Sequence, residues 1–276
     1  MKAPLAAGTG DDTQLTEATV ADPYAPVAPI YDAWQDREGA FFRLVLPKLT
    51  DTLARHAVAL SSFLDVGCGT GSLLHALRAR HPHARLCGVD GSAAMLARAR
   101  DKPGADDIHW VHARLGGAAS DGQSAAAIPG APYAAAGAFF GVANHILDSG
   151  GLRAAFAAVA AALGPGGLFV FDLSNEHGYQ AWWTGRRRRV GWGWDLTIDL
   201  AYDPSTRLAA ADATVAWRLT GRTNEVARIR ERYHAPEDVR AALAEVGFAL
   251  ECEEPWSTRP GEIAGKTWYA ARLAVS

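Results

Sequence analysis

Cysteine and lysine are both scarce in this chain. Its three cysteines, Cys68, Cys87 and Cys252, are spread over 276 residues without a CxxC pair, which argues against a disulfide framework or a structural zinc site. Lysine occurs 4 times against 23 arginines, in a chain rich in alanine and glycine; the skew reads as genome composition rather than function. Positive charge is not in excess. The net charge is −3 and the pI about 6.3, so no global basic field draws the chain to nucleic acid or an acidic membrane. Long hydrophobic runs are missing as well. The best, the 18 uncharged residues 154–171, is alanine-rich and cut by Gly164-Pro165-Gly166-Gly167, which suits a helix, a turn and a buried strand. The start, MKAPLAAGTGDD, does not read as a secretory signal, and the expected location is the cytoplasm. No internal repeat is present.

Hydrophobic residues make up 49% and charged ones 21%, enough for a full core. Residues 1–22 lack periodicity and read as a mobile tail, followed by a single domain over 23–276. An aromatic segment with Tyr24, Tyr31 and Trp34 leads into an amphipathic helix over 37–55. Short apolar strands then alternate with helices: strands over 62–66, 85–89, 108–113, 134–140 and 168–171, helices over 71–80, 92–100 and 151–163. Ser92 is placed to cap the second of these helices. This spacing predicts a parallel sheet covered on both faces. Between 185 and 233 the period becomes two, with Trp192, Trp194, Leu196, Ile198 and Leu200 in alternation, which predicts a small antiparallel insert. A helix from Pro236 to Val246 and strands over 248–253 and 267–274 close the chain.

The most informative segment is Phe63-Leu-Asp-Val-Gly67-Cys-Gly-Thr-Gly71. A strand enters a glycine-rich turn that opens a helix, letting backbone approach a ligand without a Cβ clash. Two features sharpen the signal. Ser72 stands where a dinucleotide site wants its third glycine, and Asp65 lies inside the strand, able to order the turn and face a cationic group such as an α-amino group. Nineteen residues after Gly71, Asp90 ends the second strand in Gly88-Val-Asp-Gly-Ser-Ala-Ala-Met95. An acid there accepts ribose hydroxyls, with Gly91 and Met95 as an apolar wall beside the base.

On these residues the sequence resembles the class I S-adenosylmethionine-dependent methyltransferases, closely over about 60–175 and more loosely over 232–274. LDVGCGTG, GVDGSAAML and LGPGGLFVFDL carry the likeness, as does HAPEDVRAALAEVGF. The resemblance implies an α/β, Rossmann-like, seven-stranded and mostly parallel sheet with the last strand antiparallel. Added to it are the β insert (185–233) and an N-terminal helical lid (23–58). It also implies that Asp65, Gly67, Gly69 and Gly71 contact the methionine moiety of S-adenosylmethionine and Asp90 its ribose. Cys68, Ala113, Arg114 and Phe140 also lie against the cofactor on this reading. One departure stands out. Ala113 occupies the place after the third strand where such families usually carry an acid for adenine, leaving that task to backbone groups or Asp121.

Methyl transfer needs an aligned nucleophile, exclusion of water and, for most acceptors, one titratable group; aromatic walls favour the sulfonium. Phe139-Phe140-Gly-Val-Ala-Asn144-His145 resembles a motif of small-molecule N-methyltransferases, which makes His145 a candidate catalytic or acceptor-orienting group. A loop-stabilising role for His145 is the competing reading. Tyr31 and Tyr24 resemble the lid tyrosines of those enzymes, with plain packing as the alternative, and Asp32 reads as a helix cap. Trp34, Asn144, Trp182 and Trp183 are candidate acceptor contacts. Arg186–Arg189 read as a solvated charged face. His81, His83, His109 and His112 resemble metal ligands at a glance, yet the first two sit in a turn and the second two point to opposite faces of a strand, so no metal is expected. The enclosed site and the charge favour a small-molecule acceptor, methylated on nitrogen with oxygen as the rival, and neither nucleic acid nor membrane as partner. Homo-oligomerisation is left open. Two further alternatives are a methyltransferase-fold cyclase or ligand-binding module, and a nicotinamide-dependent oxidoreductase, against which Ser72 and Asp65 argue.

Overall fold

The computed structural model of the chain describes residues 22–35, 41–114, 128–148, 150–219, 224–258 and 261–275; most of the expected tail and Asp121 lie outside these. The lid contributes a 3-10 turn (Ala28–Ile30), a short helix α1 (Tyr31–Gln35), a π turn (Phe41–Val45) and helix α2 (Leu46–Arg55). The alternating core follows as β1 (Ser62–Val66), α3 (Ser72–Arg80), β2 (Arg85–Asp90), α4 (Ala93–Arg100), β3 (His109–His112), β4 (Tyr133–Ala138), α5 (Gly151–Ala162), β5 (Leu163–Ser174) and α6 (Glu176–Trp182). Strands β6 (Gly185–Gly191), β7 (Trp194–Asp203), β8 (Leu208–Trp217) and β9 (Glu225–Arg232) come next, before α7 (Pro236–Glu245), β10 (Phe248–Trp256) and β11 (Lys266–Leu273).

The main sheet has the order β10-β11-β5-β4-β1-β2-β3. Its pairs from β5 to β3 are parallel, while β11 runs antiparallel to both β5 and β10, as the family resemblance implies. Strand β1 is buried along its whole length, which its apolar run demands of a central strand. One apolar cluster packs α5 and α7 against one face of the sheet, and another packs α2 and α3 against the other. Chain direction across the sheet reverses at the β1–β4 junction, so the crevice at the carboxyl ends of these strands is where a ligand binds in such sheets. Ser92 caps α4 as expected, its Oγ accepting the Met95 N–H at 3.1 Å.

The insert forms a second, antiparallel sheet of order β6-β7-β8-β9. Its inner face, including Leu196, Ile198, Ala213 and Ile229, buries Val27 and Ile30 of the lid; the lid is therefore clamped between the two sheets. Two expectations, the limits of two strands, need correcting, while the arginine run keeps the exposed face expected of it. The strand starts at Trp194 rather than Trp192, which lies 90% exposed beside Gly193 in the turn between β6 and β7. The arginine run is itself strand β6, stabilised by cross-strand pairs on its exposed side: Arg186 forks onto Asp199 at 2.6 and 3.0 Å, and Arg188 reaches Asp195 at 3.1 Å. Strand β5 begins at Leu163, five residues earlier than its apolar core suggests. Among the described residues no helix is long and apolar enough to cross a membrane.

Candidate functional site

The glycine-rich turn after β1 is built on backbone that ordinary residues resist. Gly67 has φ +65° and sits so close to the loop after β4 that a methyl group on it would lie 2.5 Å from Val142 Cγ2. Its N–H and that of Cys68 both donate to the Val89 carbonyl, at 2.7 and 3.1 Å, and the Gly69 N–H donates to Asp90 Oδ2 at 2.7 Å. The second oxygen of Asp90 accepts the Ser92 N–H at 2.8 Å. Burial pushes the Asp90 carboxyl above its usual range, and the nearby Asp22 charge pushes the same way.

This turn forms one wall of a cavity of about 450 Å³. Gly67, Cys68, Gly69, Asp90, Gly91 and Met95 line it, and so do Ala113, Arg114 and Phe140. The Arg114 side chain lies over Gly91. Gly71 does not reach the cavity: it precedes α3 with φ +74°, and a methyl on it would meet Trp110 at 2.4 Å. Its positive φ and the Trp110 ring of β3 packed against it both call for glycine. Asp65 lies beneath the turn, only 4% exposed. Burial, followed by repulsion from Asp90, raises its carboxyl well above the usual range, and its side chain has no hydrogen-bond or ion-pair partner among the described residues.

Opposite the turn, the lid and the 3-10 turn Val142–His145 meet. Tyr24 and Tyr31 line the cavity, as does His145. The Tyr24 hydroxyl lies 2.9 Å from His145 Nε2, with the rings edge to face at 5.7 Å. His145 Nδ1 faces the Arg230 carbonyl at 3.2 Å. A carbonyl only accepts, so the neutral ring carries its proton on Nδ1 and Nε2 accepts from Tyr24. Burial raises the Tyr24 phenol, which keeps it a donor. Tyr31 faces Gly69 across the cavity rim, and its neighbour Asp32 is no helix cap: it bonds the Thr70 hydroxyl and holds Lys102 Nζ at 2.9 Å, fastening the lid to the glycine turn.

Four expected acceptor contacts do not line the cavity. Asn144 is fully buried behind the wall, donating to the Arg232 carbonyl at 2.9 Å and accepting the Ser174 N–H at 2.8 Å. It ties the turn bearing His145 to β5 and β9. Trp34 packs on Tyr31 and the inner face of the insert, as Trp183 does on Tyr179. Trp182 closes over Gly265. Trp194, Trp34 and Trp183 pack with Val27 and Ile30 of the lid in one apolar cluster.

Two groups were missed by sequence reasoning. Glu231, on the inner face of β9 with Ala227 and Ile229, is buried beside His145, with Oε1 3.8 Å from Nε2. Tyr179 donates to its Oε2 at 2.7 Å, burial raises its carboxyl, and His145 pulls the other way. The signal was available: in Ala227-Arg-Ile-Arg-Glu231 the acid falls on the apolar phase of the alternation. The second is a buried ion pair, Asp172 with Lys266 at 2.6 Å. The other Asp172 oxygen accepts the Phe140 N–H at 2.6 Å, holding Phe140 at φ +63° with its ring 5.8 Å from Lys266 Nζ. Among the described residues no three His, Cys, Asp or Glu side chains gather as a metal site. Asp172→Ala, which strands Lys266 and the Phe140 N–H, is expected to cost about 3–5 kcal/mol of stability in urea unfolding; a loss under about 1 kcal/mol would show the pair does not hold this loop.

Residues 63–167 match the family described as methyltransferase domain. Among curated proteins, a carboxy-S-adenosyl-L-methionine synthase of Campylobacter lari is 36% identical over 81 residues, 29% of this chain and 35% of that protein. A trans-aconitate 2-methyltransferase of Rhodopseudomonas palustris is 44% identical over 54 residues, 17% of this chain and 21% of that one. The chain thus spans about a third or less of the curated relatives it matches. Among solved structures, an S-adenosylmethionine-dependent methyltransferase from Clostridium acetobutylicum superposes with a TM-score of 0.72 at 18% identity, covering 91% of this chain and 99% of its own. The sugar N-methyltransferase KedS8 from Streptoalloteichus gives 0.64 at 21% identity and covers 99% of both. Residues 63–167 thus match a methyltransferase-domain family, and the fold as a whole is similar to that of S-adenosylmethionine-dependent methyltransferases.

Proposed function

We propose that the protein methylates a nitrogen of a small-molecule acceptor, using S-adenosylmethionine. The observation that carries this reading is the Tyr24–His145–Glu231 cluster facing the glycine turn across one cavity. The site's chemistry fits the cofactor: Asp65 is a buried carboxylate without a cation, below a turn that only glycine can form, and Asp90 stands at the rim. When bound, the cofactor supplies a cationic sulfonium whose methyl group an electron pair can displace. Asp65 would balance its ammonium group, Asp90 would accept ribose hydroxyls, and Met95 and Gly91 would flank the base.

The chain's own groups then deal with the acceptor. An amine is a nucleophile only when neutral, so its proton must leave before attack. His145 Nε2 is the acceptor site for that proton, because Nδ1–H stays on the Arg230 carbonyl. Glu231 lies near enough to stabilise the resulting imidazolium, and Tyr24 can turn its hydroxyl to follow. The likeness of the Phe139–His145 segment to a motif of small-molecule N-methyltransferases, and of the fold to the sugar N-methyltransferase KedS8, supports nitrogen over oxygen. The lid packed between the two sheets supports a small acceptor, since a cavity of about 450 Å³ leaves little room for a macromolecule beside the cofactor.

The test is turnover: purified protein with S-adenosylmethionine and a panel of small amines and phenols, followed by mass spectrometry. N-methylated products are expected. His145→Ala should then lower kcat about 100-fold and Tyr24→Phe about tenfold, the size of one hydrogen bond. Less than a threefold change in both would remove these residues from the reaction, and exclusive O-methylation would overturn the choice of nitrogen.

Cofactor affinity should also depend on pH in a stated direction. The raised Asp65 carboxyl must lose its proton before it pairs with an ammonium, so binding of S-adenosylhomocysteine is expected to tighten as pH rises through that elevated pKa, with proton release seen by calorimetry. Asp65→Asn should abolish this pH dependence and weaken binding about 10- to 100-fold. A wild-type affinity that does not change with pH above the ordinary carboxylate range would contradict the assignment.

A further inference from the structure

Ser92 joins two carboxylates at the rim of the cavity. Its backbone N–H donates to Asp90 Oδ1 at 2.8 Å, and its hydroxyl donates to Asp22 Oδ2 at 2.7 Å. Asp90 belongs to the main sheet, whereas Asp22 opens the lid, at the last position of the segment that reads as a tail in sequence. Both line the same cavity, and the Asp22 charge helps raise the Asp90 carboxyl. The other contacts of Asp22 fasten it in place: its Oδ1 accepts the Tyr24 N–H at 3.0 Å, and the Ala94 N–H at the start of α4 lies 3.4 Å from Oδ2. No cation pairs with either acid among the described residues. A carboxylate has about four acceptor positions, so both keep capacity for further donors.

Two carboxylates held side by side are best satisfied by a ligand with two adjacent hydroxyl donors, which bridges them without a charge. We propose that Asp22 is a second ribose-binding residue: the lid's carboxylate accepts a hydroxyl of the nucleoside alongside Asp90. This rests on the S-adenosylmethionine reading of the site. It assigns the lid a direct share in nucleoside recognition, so that closing over the cofactor and recognising its sugar are one event. It also gives the chain an anchor on the nucleoside where Ala113 supplies none to adenine.

The test pairs a protein-side deletion with a ligand-side deletion. Binding of S-adenosylhomocysteine and of its 2′,3′-dideoxy analogue is measured by calorimetry for the wild type, Asp22→Asn and Ser92→Ala. A hydrogen bond to a charged acceptor corresponds to a change of about tenfold or more. Asp22→Asn is therefore expected to weaken S-adenosylhomocysteine binding about tenfold and to shrink the penalty for removing the hydroxyls by about the same factor. Ser92→Ala loosens the hold on Asp22 but keeps the carboxylate, and should shrink the hydroxyl penalty less than Asp22→Asn does. Equal hydroxyl penalties in the wild type and Asp22→Asn would overturn the proposal, reducing Asp22 to a lid fastening while leaving the cofactor reading intact. Failure of the wild type to bind S-adenosylhomocysteine at all would overturn both.

Discussion

The hydrogen bond from the Gly69 N–H to Asp90, 2.7 Å long, ties the turn after β1 to the end of β2, and the site depends on it. The turn is left-handed at Gly67, so its N–H groups point back at the Val89 carbonyl and at Asp90 rather than into solvent. That arrangement makes the turn rigid before any ligand arrives. It also gathers negative charge: Asp65 below the turn, Asp90 beside it and Asp22 from the lid. Burial raises Asp65 and Asp90; the Asp90 charge adds to the rise at Asp65, and the Asp22 charge to that at Asp90. A site with this electrostatic character is suited to a ligand bearing cationic and hydroxyl groups.

The lid completes the arrangement through contacts at both of its ends. Asp22 reaches Ser92 at the start of α4, and Asp32 reaches Thr70 and Lys102 beside the glycine turn. Between them, Val27 and Ile30 are buried in the insert. The insert therefore serves the site indirectly, by shaping the lid, and directly through the Arg230 carbonyl, which orients the His145 ring, and Glu231, which lies beside it. The buried Asp172–Lys266 pair does a comparable task from the main sheet, holding Phe140 in a backbone conformation it would not choose alone.

Much of this was legible in the sequence because it is local. The strand-turn-helix pattern around Gly67, the alternation of strands and helices, the Ser92 cap and the limits of the insert are all set by neighbours in the chain. Tyr24, Tyr31 and His145 were legible through resemblance to a motif. What sequence reasoning missed or misplaced depends on which faces meet in space. Trp34, Trp182, Trp183 and Asn144 are placed by packing between the lid, the insert and β5, and nothing in their spacing distinguishes a cavity wall from a filled interface. Asp172 and Lys266 lie on adjacent strands far apart in sequence, and Asp22 looked like the end of a tail because its partner, Ser92, is on another element.

Calorimetric titration of the full chain with S-adenosylhomocysteine, run beside NAD and NADP, tests the central claim most directly. The account predicts micromolar binding of S-adenosylhomocysteine and none of the nicotinamide cofactors. Binding of NAD or NADP without S-adenosylhomocysteine would contradict it, because the glycine turn and its acids would then serve a dinucleotide.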